Sequence, residues 1–69
     1  MNLQDFEALG LEEKIHHVRE HGKLLHTEIR GNMSIMLFWT DRLVVEVFLL
    51  INPRKVYEVK GFDRFLYAA

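Results

Sequence analysis

The chain has 69 residues, 49% of them hydrophobic, no cysteine, and a formal net charge of −1. That length predicts one small domain spanning residues 1–69, and a domain this short hides only about 60% of its unfolded surface, so it leans on a metal, a disulfide or a partner subunit. The missing cysteines exclude disulfides and thiolate metal sites, and the near-neutral charge gives no pull toward nucleic acid or anionic lipid.

The charge is slightly segregated: −3 over residues 1–21 and +2 over residues 22–69. A split this modest reads as ordinary solvated surface. No basic stretch precedes an apolar one at the start, so no signal peptide is expected, and no run approaches the roughly 20 apolar residues of a membrane span. The expectation is a soluble cytoplasmic protein without cofactor, nucleic-acid partner or membrane partner.

In chain order, Asn2 is placed to cap a short helical turn through Leu3, Phe6 and Leu9, with Asp5 at the capping-box position and Gly10 ending the turn. A main helix follows from about Leu11 to His21. Glu12 and Glu13 sit in its first turn, where the helix dipole favours acids, and Gly22 suits a left-handed C-terminal cap. Leu11, Ile15 and Val18 fall at helical spacing and form a narrow apolar stripe, wide enough to cover one sheet face.

From Lys23 the period switches to two. Turn signals at Gly31-Asn32, Asp41-Arg42 and Asn52-Pro53 separate runs at about 23–30, 33–40, 43–50 and 56–62. The fold class predicted is α+β, with the helix packed on a four-stranded antiparallel β-meander. Two-residue loops in the first two hairpins assign the faces. One face takes Leu24, His26, Glu28 and Arg30, then Ile35, Leu37 and Trp39, then Val44, Glu46, Phe48 and Leu50. The other takes Leu25, Thr27, Ile29, Ser34, Met36, Phe38, Val45, Val47 and Leu49, carries no charge, and is the face the helix should cover. The loop through Pro53, Arg54 and Lys55 leaves the register of the fourth strand open.

Ile35, Leu37, Trp39, Val44 and Phe48 then form an apolar patch with no helix left to cover it, and such patches usually mark interaction surfaces. Two covers compete. The C-terminal stretch with Phe62, Phe65, Leu66 and Tyr67 can fold back over the patch, or two chains can bury it as a C2 dimer, which is the preferred reading. Glu46, a carboxylate between Val45 and Val47, belongs to the same proposed interface.

Three constellations bear on chemistry. "HVREH", residues 17–21, matches the H-x-x-E-H pattern in which two histidines one helical turn apart share a zinc and the glutamate serves as base. A catalytic zinc needs a third ligand from another element and a cleft, and this chain has no other substantial helix. His17 and His21 are thus only weak metal candidates, and the pairs Glu12–His16, Glu13–His17 and His16–Glu20 account for the charges at i,i+4 spacing. His26 and Glu46 share one cross-strand row beside Leu37, a candidate polar site that more often means a register-fixing contact than acid–base catalysis. Phe38, Trp39, Arg42, Phe48, Tyr57, Lys60, Phe62 and Arg64 combine aromatics with bases, as single-strand nucleic-acid binders do, but most of these aromatics fit core positions.

"FEALGLEEK" at 6–14, "VVEVF" at 44–48 and "VYEVKGF" at 56–62 resemble small uncharacterised bacterial proteins of about 70 residues, built as a helix followed by a meander. The chain differs from them at "LLINPRK", residues 49–55, where an Asp-Pro turn straight after the strand is expected. The resemblance implies the fold and no activity. The reading is a non-enzymatic interaction or accessory module, homodimeric or bound to another protein. The alternative is a small-ligand or metal-binding protein using His17/His21 or the His26/Glu46 region.

Overall fold

A computed structural model of the chain describes residues 1–67. Helix α1 (Leu3–Glu7) is followed by helix α2 (Leu11–His21), strands β1 (Lys23–Arg30), β2 (Met33–Trp39), β3 (Leu43–Leu50) and β4 (Lys55–Asp63), and a last turn of helix α3 (Arg64–Tyr67). The class is α+β with a four-stranded antiparallel sheet and short helices, in the order β1-β2-β3-β4.

Local chemistry sets the helix ends. The Asp5 N–H donates to Asn2 Oδ1 at 2.8 Å, the cap expected at α1. Gly10 does not end α1; Ala8 closes it and Gly10 is the N-cap of α2, where its N–H donates to Glu13 Oε1 at 3.0 Å. Gly22 is not left-handed either, since its φ of −89° is an extended value. Its glycine is required by crowding: a Cβ there would lie 2.5 Å from the Val18 carbonyl oxygen. Among the described residues only Gly31, with φ 59°, takes a positive value, as the first position of a two-residue hairpin turn demands.

The register runs Ile35↔Phe48, Leu37↔Glu46 and Trp39↔Val44 between β2 and β3. Two bulges lie on the flanking strands. One, at Leu25, pairs Leu24 with Phe38 and so moves Leu24 off the face expected for it. The other, at Tyr57, pairs Val56 with Leu49 and Glu58 with Phe48, which fixes the fourth strand's register.

The core gathers Phe6, Val18, Leu43, Val45, Val47 and Val59, with Leu3, Leu9, Ile15, Met36, Phe38 and Val56 packed against it. Each fully buried large side chain contributes about 1.5–3 kcal/mol. Phe6 rests on the backbone of Gly61, where any Cβ would stand 2.8 Å from the ring. Leu11, expected in the apolar stripe of α2, is exposed instead. The two N-terminal helices lean over β4, and every residue of β1 stays exposed.

Candidate functional site

The outer face of the sheet, opposite the helices, carries most of the residues singled out from the sequence. Alternation along β2 and β3 aligns Ile35, Leu37 and Trp39 with Phe48, Glu46 and Val44. The rows continue into polar and charged neighbours. On the β1 side stand His26 and Glu28, and on the β4 side Lys60 and Glu58. Arg30 Nε meets Glu28 Oε1 at 3.0 Å, and Lys60 Nζ lies 3.8 Å from Glu58 Oε2. An apolar strip along the two central strands is therefore bordered by ion pairs on both edge strands.

The six proposed interface residues are not equally available. Ile35, Leu37, Trp39, Glu46 and Phe48 are half-buried. Val44, at 1% exposure, is already covered within the chain and forms a floor rather than a contact surface. The cover at that end is α3. The Arg64 guanidinium sits 4.0 Å from the Trp39 ring centroid, and Tyr67 meets Phe62 with centroids 5.4 Å apart. Arg64 Nη1 also donates to the carbonyls of Thr40, at 3.0 Å, and Asp41, at 3.3 Å. The tail thus folds back over one end of the face only, and Phe65 and Leu66 remain 72% and 76% exposed. At the other end Lys60 Nζ stands 5.5 Å from the Phe48 ring centroid.

His26 and Glu46 do share the row with Leu37, which stands between them. Lys60 is the direct cross-strand neighbour of Glu46. No hydrogen bond joins His26 to Glu46 among the described residues, so the row offers no coupled acid–base pair.

The histidines of α2 lie on the opposite side of the sheet. His17 and His21 come together, with ring centroids 4.7 Å apart, and Phe6 meets His17 edge-on at 6.0 Å. Glu13 is engaged by Gly10 and leaves His17 unpaired, whereas His16 and Glu20 form the expected contact at 3.2 Å. Burial, then the neighbouring His21 and the N-terminal amine, lower the His17 pKa below its ordinary value, against the opposing pull of Asp41 and Glu20. No group of three or more His, Asp or Glu side chains able to hold a metal occurs among the described residues.

Sequence reasoning missed Arg64 as the residue that seats the tail. It also missed Asn32, whose side chain donates to the Asn52 carbonyl at 2.8 Å and accepts from the Asn52 N–H at 3.0 Å, tying the first and third turns together. The "NP" and "GN" turn signals were visible, but no local pattern shows that two turns meet. No helix among the described residues is long and apolar enough to cross a membrane. No family model, curated protein or solved structure matches the chain.

Proposed function

We propose that the protein is a non-enzymatic interaction module: a helix packed on a four-stranded meander that pairs with a second copy through the outer sheet face. The observation that carries this reading is the layout of that face. Ile35, Leu37 and Phe48 lie along the centre, Glu28–Arg30 and Glu58–Lys60 border it, and α3 covers only the Trp39 end. An apolar centre with a polar rim is the usual anatomy of a protein–protein interface. A two-fold axis would set the central strip on its own copy and extend cover to Phe65 and Leu66. Glu46 then serves specificity, because a carboxylate in the strip tolerates only a register that leaves it beside Lys60 or brings a partner's base to it.

Solution mass tests the reading. Wild-type protein is expected to scatter light as a dimer, and Phe48→Asp as a folded monomer with unchanged circular dichroism, since it sets a charge in the middle of the strip. Leu37→Lys should act in the same way. A wild-type monomer at 100 µM or so, or a Phe48→Asp protein that keeps the dimer mass, would overturn it; dimers of micromolar affinity correspond to about 8 kcal/mol.

A further inference from the structure

The opposite face of the sheet holds a second feature. Because α1 and α2 lean over β4, they leave a groove between α2 and the inner face of β2 and β3. Its volume is about 580 Å³. Its floor and walls are apolar: Ile15 and Val18 from α2, Met36 and Phe38 from β2, Leu49 from β3 and Val56 from β4. The charged side chains lining it are Arg19, Arg54 and Lys55, and no acid lines it. None of the three cations takes part in an ion pair among the described residues.

The groove is thus locally basic although the chain as a whole carries −1. Local charge of one sign at the mouth of an apolar recess selects a ligand with an apolar body and an anionic head. The volume sits in the small-molecule range of roughly 300–1,000 Å³. An amphipathic partner helix needs at least two turns to seat its i, i+3, i+4 and i+7 anchors. One turn alone, about 10–12 Å across and 5.4 Å long, fills roughly 420–610 Å³. The groove of about 580 Å³ is about the size of one such turn, a space that a flexible alkyl chain fills without presenting two turns of anchors. We infer that this groove binds a single-chain anionic amphiphile of the fatty-acid class, its alkyl chain along Met36, Phe38 and Leu49 and its carboxylate between Arg19 and the Arg54–Lys55 pair.

Decanoate, below its micellar concentration, tests this against decanol and decyltrimethylammonium, which share the chain and change the head. Calorimetry and amide chemical shifts on the full chain are the readouts. Decanoate should bind one to one, with shifts centred on Ile15, Met36, Phe38 and Leu49, and more tightly than either comparison compound. The exposed double substitution Arg19→Glu with Arg54→Glu should weaken decanoate about tenfold or more and favour the cationic compound, as reversal of complementary charge requires. Met36→Trp should block all three by filling the floor. Equal affinity for the three heads, shifts on the outer face at Ile35 and Phe48, or no saturable binding would each overturn the inference. So would groove shifts that change on dilution without ligand, which would make the groove a subunit contact, or preference for an acidic amphipathic peptide over decanoate. Repeating the titration on Phe48→Asp keeps this result separate from dimerisation on the other face.

Discussion

The surroundings of His17 press on its charge. Its Nε2 is buried with no partner among the described residues, and its pKa is lowered chiefly by burial and then by His21. The folded pKa thus lies below the ordinary histidine value of 6.5 that an unfolded chain keeps. Between those two values the unfolded state binds the proton more readily, so the contribution of this residue is present above pH 6.5 or so and fades as pH falls toward the folded value. The urea midpoint should therefore decline from pH 7.5 to 5.5. His17→Leu should flatten that decline and, by removing a buried polar atom without a partner, raise stability by about 1 kcal/mol at pH 5.5. A His17→Leu profile parallel to wild type would place the proton uptake elsewhere. The same residue shows a limit of pattern reading: i,i+4 spacing pairs His17 with Glu13 on paper, yet Glu13 answers the nearer demand of the Gly10 N–H. Gly10 and Gly22 were legible as helix punctuation, but their backbone angles were not. Glycine marks both a left-handed cap and a site of close approach, and Gly22 turns out to be the second kind.

At the scale of elements, α3 is only four residues long and has no buried side chain of its own. A single turn has no helical stability to draw on, so its anchor decides whether it stays. Arg64 supplies that anchor through the Trp39 ring, two carbonyl oxygens and its own N–H, which donates to the Arg42 carbonyl at 3.0 Å. Arg64→Ala should cost about 1–2 kcal/mol, from a cation–π contact and hydrogen bonds that are partly shielded from water. It should also shift the emission of the only tryptophan toward the red. Arg64→Lys should recover only part, because a lysine cannot stack flat on the ring while reaching both carbonyls. Unchanged stability and emission in Arg64→Ala would mean that Tyr67 on Phe62 and the Asp63 carboxylate, which accepts from the Phe65 N–H at 2.9 Å, hold the turn. The strands themselves were legible, because period-two alternation and turn residues state them locally. The bulges at Leu25 and Tyr57 were not, because one extra residue leaves the alternation on each side intact and only offsets the two sides, which moves Leu24 to the other face. The lean of the helices over β4 depends on Phe6 finding the bare backbone of Gly61, a contact between residues 55 positions apart. Nothing local in the sequence states that contact, and the groove follows from it.

For the molecule as a whole, the core is small, and apolar surface is left on both sides of one sheet. β1 lies outside the core, with Ile29 at 67% exposure, and it also forms a free edge. That edge is blunted by its bulge and by Lys23, His26, Glu28 and Arg30, devices that discourage strand-to-strand addition. The proposed self-association therefore uses a face rather than an edge. If the outer face is where two copies meet, folding and assembly share one free energy, and stability must depend on concentration. A tenfold rise in protein stabilises a dimer by about 1.4 kcal/mol, or roughly 0.7 kcal/mol per chain. For a domain of this size that corresponds to about 3–6 °C in Tm. Scanning calorimetry of wild-type protein across a hundredfold concentration range should show about twice that rise, and Phe48→Asp should show none. A flat wild-type Tm over that range would mean that no second copy adds to the stability of the fold. The strip of Ile35, Leu37 and Phe48 would then have to be read as surface that the chain tolerates, and the search for a binding site would move to the inner groove.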